Sequence, residues 1–454
     1  MREYLPPIRS TSCLLALALA SMGLIGHAQG SVDDDIALAN RQSADAIRAY
    51  RATGLPWTAA EVRRDRPVST KDNAATLLRS AIRKFDSAKF KKESLVLQRE
   101  ISGKASGVVG DPFRRYSSAL MDAVAASSRP KADFGHDYDQ GTAIRFTDES
   151  ALKDLVKCLS YRALFESRRG DRAACVRDVR AAWRISNFLG QEPLLLDALI
   201  QIACRAIVIR SVERCALPLR HNPRDLMMLK SILQEHDHLD LAFTLSGEAY
   251  CGISTIRNLK ELGGLKGLED PESNHVKPID PKKLVREGAP KDPTENAFLV
   301  RHLQAWTAVA TRAIQNEMGT EAVGKALDSV YDDLANKKSA SYMLEVILFP
   351  VFSQARTVLE KSDAETLAME AMLTALARSR DDRSLPTSIT QIPGNWIDPF
   401  TGKSMHVLNE PGKFRIYSFG ETRKDHHGVF QSEMKTFSIH DFDIGAAYPP
   451  RAQR

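Results

Sequence analysis

The stretch EPLLLDALIQIACRAIVIRSVERC, residues 192–215, is apolar on nearly every side of a helical wheel. A helix with one polar face can rest on a surface, whereas one without is stable only when packed all round. Asp197, Gln201, Arg205 and Arg210 interrupt the run before it reaches the about 20 apolar residues of a membrane span. It is therefore expected to be a buried core helix, and the neighbouring segments must cover it. Upstream, Leu152, Leu155, Val156, Leu159 and Ala163 recur at helical spacing as far as RRGD, residues 168–171. Val176, Val179, Ala182, Trp183 and Leu189 follow on one face of a second helix that stops at Gly190. Two amphipathic helices across a Gly-Asp turn predict an αα-hairpin.

The second of these, GDRAACVRDVRAAWRIS, resembles the latter half of a tetratricopeptide-type repeat, but the unit does not recur at that family's period. An irregular helical-hairpin, solenoid-like body is what remains. Further helices are predicted over 33–53, 71–85 and 111–127, from Pro223 toward Leu262, and through Leu299, Leu303, Trp306, Ala310 and Ile314. The last helix before the C-terminal region is expected to kink or break at Pro350. Residues 263–294 carry Pro271, Pro278, Pro281, Pro290 and Pro293 among many charges, which no helix can absorb, so they read as a long loop or linker. After a helix bearing Leu367, Met369, Met372, Leu373 and Leu376 come Pro386, Pro393, Gly394 and Pro399, a series of turns. MHVL and FRIYSF then read as two β-strands joined by NEPG. The expected fold is mainly α. A helical body spans 29–262 and 295–350 around the 263–294 loop, and a small α+β module with a short antiparallel sheet occupies 351–454.

The 63 basic residues exceed the 57 acidic ones by only six, and runs such as Lys89 with Lys91 and Lys92 are short. A nucleic-acid binder would gather its excess along one face, so these lysines read as solvated surface and no nucleic-acid partner is expected. The N-terminus is more directive. Arg2 and Arg9 precede the apolar CLLALALASMGLIG, and Gly26 and Ala28 supply the small residues of a cleavage site. A secretory signal peptide cleaved near Ala28 is predicted, leaving an extracytoplasmic chain, periplasmic or secreted, with no transmembrane span. Of the five remaining cysteines (Cys158, Cys175, Cys204, Cys215 and Cys251) no two form CxxC, which argues against a zinc knuckle or a redox pair. Buried free thiols are the plainer reading.

Chemistry-bearing residues cluster in three places. Leu229, Ile232, Leu233, His236, Asp240 and Phe243 fall on one helical stripe, setting a histidine four residues from a carboxylate within an otherwise apolar face, with Glu248 near the edge. Such a pair suits a carboxylate-oriented general base or half a metal site. The plainer alternative is a His-Asp pair that satisfies its own hydrogen bonds in a helical core. Asp133, His136, Asp137 and Asp139 form a loop cluster without the spacing, glycine or distal glutamate of an EF-hand, and read as a solvated turn. Asp425, His426 and His427 form the third. Ser150 and Lys153 fit SxxK, but neither SDN nor KTG accompanies them, and HExxH, GxSxG and GxGxxG do not occur.

The order AL…R…LPT…I…DPFTGK…G.F.IYS.G…D..G in the last ninety or so residues resembles the globular part of type II secretion pseudopilins. The same ending, together with DNAATLLRSAI (residues 72–82) and LSGE (residues 245–248), resembles uncharacterised exported proteins of planctomycete-type bacteria. The pseudopilin resemblance implies a helix-plus-sheet module and a calcium-holding loop after YSxG, which here is ETRKDHHGV with Asp425 as the one matching ligand. No other cofactor is expected. Pseudopilins begin with a short glycine-cleaved leader and a GFTLxE-type helix, and this chain does not, so filament membership is not implied. The expectation is a non-catalytic interaction or structural component of the cell envelope with protein partners there. The alternative is a hydrolase using His236 and Asp240.

Overall fold

The computed structural model describes residues 29–63, 68–101, 111–235, 240–264, 278–315, 320–335, 343–379, 381, 384–430 and 443–449. The expected signal peptide, residues 1–28, and the candidate His236 lie outside them. The chain runs through α1 (Gln29–Ala52), α2 (Ala75–Lys84), α3 (Ser87–Ile101), α4 (Ser117–Ser127), α5 (Glu149–Arg169), α6 (Arg172–Leu189), α7 (Leu195–Cys215), α8 (Pro223–Gln234), α9 (Leu241–Arg257), α10 (Pro293–Gln315), α11 (Thr320–Ala335) and α12 (Met343–Arg378). Strands β1 (His406–Glu410), β2 (Lys413–Ser418) and β3 (Ile444–Tyr448) follow and form one antiparallel sheet in the order β1-β2-β3. The fold is thus mainly helical with a small C-terminal sheet, as the sequence pattern predicts.

The hairpin α5–α6 turns where RRGD predicts it. Gly170 takes the left-handed conformation (φ 85°) that ends α5, and the Asp171 carboxylate accepts the Ala174 N–H at 2.9 Å to start α6. Helix α7 packs against both, burying Ala198, Cys204, Val208 and Val212, while Arg210 marks its exposed edge. Arg205, another polar interruption of this apolar helix, goes inward with partners: it donates to Asn187 Oδ1 at 3.0 Å and lies over the Trp183 ring. Among the described residues no helix is long and apolar enough to cross a membrane.

Two large apolar cores result. One gathers α2 to α6, α8 and the sheet, and the other gathers α1, α9, α10 and α11. Helices α7 and α12 serve both: Cys204 and Val208 face the first and Leu195 and Ile202 the second, as do Met369 and Leu373 against Ala355 and Leu359. All five described cysteines are buried free thiols.

Four local expectations are corrected. Helix α8 ends at Gln234 and α9 begins at Leu241 with Asp240 as its N-cap, so the helix expected from Pro223 toward Leu262 is two helices. Helix α12 continues through Pro350, so of the kink or break expected there the break does not occur. A third strand, β3, pairs Ala446 with Ile416 across β2. Finally, residues 131–146 are a strap docked on the helices, with His136 and Asp139 buried, rather than a solvated turn. Ala74 N–H donates to Lys131 O at 2.7 Å, Ala132 N–H to Gln191 Oε1 at 2.8 Å and Phe134 N–H to Glu192 Oε1 at 3.1 Å. Farther along, Asp139 takes hydrogen bonds from Tyr250 and Arg286. Gly141 sits at φ 53° so close to α9 that a Cβ there would collide with Thr255.

The described part of the proline-rich loop, residues 278–292, docks on this strap and on α9. Gln140 exchanges two hydrogen bonds with Ile279 (3.1 and 2.8 Å), and Asn258 exchanges two with Val285 (3.2 and 2.7 Å). Arg257 donates to the Gly288 and Arg286 carbonyls and stacks on Trp57. The loop lacks regular structure because of its prolines, yet side chains of α9 satisfy its backbone.

Candidate functional site

The strap carries His136 inward, to a point where two helices begin. Glu149 is the first residue of α5, and Asp197 lies in the first turn of α7. Carboxylates at these positions are favoured by the partial positive charge of a helix N-terminus. His136 Nε2 lies 3.7 Å from Asp197 Oδ2 and 4.0 Å from Glu149 Oε1, and one ligand atom from each of the three falls within 4.8 Å of the others. The three residues are 8%, 0% and 4% exposed respectively for His136, Asp197 and Glu149, which is unusual for ionisable groups unless they are paired. Glu149 Oε2 accepts no hydrogen bond among the described residues.

The surroundings are apolar and aromatic. The rings of Phe134, Tyr138 and Phe146 stand 5.4–6.4 Å from the imidazole, and Arg63 donates to the His136 carbonyl. Glu192 fixes the strap on either side of His136, accepting from the Phe134 N–H and the Tyr138 hydroxyl. Burial pushes the Glu149 carboxyl up to about 7, with Asp148 and Glu192 adding to the rise and the N–H groups of its own helix start opposing it. An imidazole facing two buried carboxyl groups can share a proton with them or hold a cation between them.

The candidates expected from sequence are placed elsewhere. Asp240 caps α9, accepting from the N–H groups of Ala242 (2.9 Å) and Phe243 (3.1 Å). Glu248 is partly buried on α9 and accepts the Leu195 N–H at 2.7 Å, satisfying the start of α7, whose own N-cap Leu194 supplies no side chain for it. Burial pushes its carboxyl up to about 7, against that hydrogen bond. Asp425 is exposed. It accepts the His427 N–H at 2.7 Å and the Tyr417 hydroxyl at 3.3 Å, and so braces its own loop. Asp443 closes that loop from the other side, accepting from Gly428 (2.7 Å) and His426 (3.3 Å). Among the described residues His136, Glu149 and Asp197 form the one group of three whose ligand atoms converge, and the Asp425 loop forms none.

Of the loop cluster noted in the sequence, His136 alone enters the site. Asp133 accepts the Gly135 N–H, Asp137 starts the turn at Asp139, and Asp139 faces α9. Sequence reasoning missed Glu149 and Asp197. The signal for Asp197 was present: a carboxylate inside the most apolar helix of the chain has to be buried with a partner. No protein-family model matches the chain, and neither curated proteins nor solved structures gave a match.

Proposed function

We propose that the protein is an exported, non-catalytic interaction or structural component of the cell envelope, kin to the exported proteins whose pseudopilin-like ending it resembles. The observation that carries this reading is the use made of the carboxylates nominated for hydrolysis. Asp240 and Glu248 are both committed to helix N-termini, one starting α9 and the other α7. Groups that hold helix starts contribute stability, and an Asp or Asn cap is worth about 1 kcal/mol. The same economy recurs at Asp171 and Asp443, whose carboxylates fix a turn and a loop. A body of helical hairpins offers long faces to a protein partner, and the signal-like composition of residues 1–28 supports the extracytoplasmic setting.

The test is chemical crosslinking of the tagged full chain in a producing bacterium, followed by envelope fractionation and mass spectrometry. A reproducible crosslinked envelope protein is expected, with the tagged chain in the extracytoplasmic fraction. Asp240→Asn should leave that crosslink in place. A chain recovered only in the cytoplasm, or only as an uncrosslinked monomer, would sink the reading.

A further inference from the structure

We propose that His136, Glu149 and Asp197 bind one divalent transition-metal ion of the zinc or manganese type, which pins the 131–146 strap to the starts of α5 and α7. The three side chains come from separate segments and converge with their polar atoms on one point. An ion held at about 2.0–2.2 Å by nitrogen and oxygen ligands sets neighbouring ligand atoms about 3.0–3.5 Å apart. The measured 3.7 and 4.0 Å separations from His136 Nε2 exceed that slightly, so side-chain movements of roughly 1 Å close the site.

Charge argues the same way. Two carboxyl groups, each at least nine-tenths buried, face one imidazole, with the buried Glu192 beside them. A dication between them removes the repulsion and gives Glu149 Oε2, which accepts no hydrogen bond among the described residues, a partner. The donor set selects the ion class. One imidazole with two carboxylates suits zinc, manganese or ferrous iron, whereas calcium takes six to eight oxygens and cuprous copper prefers sulfur. The ion would be structural in effect, adding a direct tie from His136 to both helix starts to the hydrogen bonds by which Glu192 already holds Phe134 and Tyr138. This inference stands on the site geometry and does not depend on the envelope role.

The test strips the purified full chain with a chelator and dialyses it against zinc, manganese or calcium chloride. Bound metal is counted by elemental mass spectrometry and thermal unfolding is followed in parallel. One zinc or manganese ion per chain is expected, with a rise in Tm of several degrees and no response to calcium. His136→Gln and Asp197→Asn should each weaken binding at least tenfold and abolish the Tm rise. Should either fail to fold, Glu149→Gln decides, because the amide keeps the size and shape of the side chain while removing a carboxylate ligand. Absence of zinc and manganese uptake by the wild-type chain, or uptake unchanged in the folded variants, would overturn the proposal.

Discussion

Glu370 sits on α12 with 4% of its surface exposed and receives a hydrogen bond from Gln234 Nε2 at 2.9 Å. Burial raises its carboxyl to about 7, although the Gln234 bond and the charge of Lys230 pull it down. The folded state therefore holds this proton more tightly than the unfolded chain, where a glutamate titrates near its ordinary value of about 4.3. The resulting stabilisation is fully present below that value and is lost as pH rises through 7. Its upper bound is roughly 4 kcal/mol, since each tenfold change in proton affinity is worth about 1.4 kcal/mol. Glu370→Gln keeps the shape and can keep the bond to Gln234 but carries no proton to lose. Urea unfolding at pH 5 and pH 8 should show the wild type losing more stability than the variant. An equal loss in both would assign the pH dependence elsewhere, with Glu248 and Asp443 next in line because burial raises them to about 7 and about 6.

At the scale of elements, the DPFTGK and YSFG blocks of the C-terminal ending turn out to be one device. Asp398 is fully buried, and its Oδ1 accepts the Phe400 N–H at 3.0 Å and the Ser418 hydroxyl at 2.7 Å, while Oδ2 accepts from Thr401 at 2.9 Å. Ser418, the last residue of β2, also accepts the Gly420 N–H at 2.9 Å. The turn and the strand end are thus locked through one carboxylate. Asp398→Ala is expected to cost about 2–4 kcal/mol and Ser418→Ala about 1–2 kcal/mol, since hydrogen bonds to a buried charge are stronger than neutral ones. The double variant should cost less than the sum, and a strictly additive result in denaturant unfolding would mean that the two blocks are not coupled. This element was half legible in the sequence: proline and glycine placed the turns, and Phe414, Ile416 and Phe419 placed β2. Strand β3 was not, because IGAAY is short and rich in small residues that favour no strand. The α8–α9 break escaped for a related reason. Apolar residues on either side keep nearly the same helical phase, so Asp240 fits a stripe as well as the N-cap it is. The His136 site lay beyond local reasoning, since its members are separated in sequence and meet only through packing of the strap on two helix starts.

For the molecule as a whole, the question is whether the C-terminal sheet is an appendage or part of the body. Helix α12 runs unbroken across position 350 and contributes to both apolar cores. Trp396, Phe414, Ile416, Ile444 and Tyr448 lie in the same core as Leu226, Leu229 and Leu233 of α8 and Met369, Met372 and Leu376 of α12. Two cations of the body reinforce the join. Arg220 donates to the Leu376 and Ser379 carbonyls at 2.6 and 3.0 Å and lies over the Tyr448 ring, and Lys230 lies over that of Trp396. Burying each of the five large side chains of the module contributes roughly 1.5–3 kcal/mol. Their sum, on the order of 10 kcal/mol, is comparable to the whole net stability of about 5–15 kcal/mol typical of a folded protein. A chain ending at residue 383 is therefore expected to lose its fixed packing, keeping far-UV helical signal while losing near-UV signal and binding a hydrophobic dye. The full chain should show no separate low-temperature transition for the sheet. A truncated chain that unfolds cooperatively at the wild-type Tm would show instead that the body completes its core alone, and that the module rests on it as a separate unit.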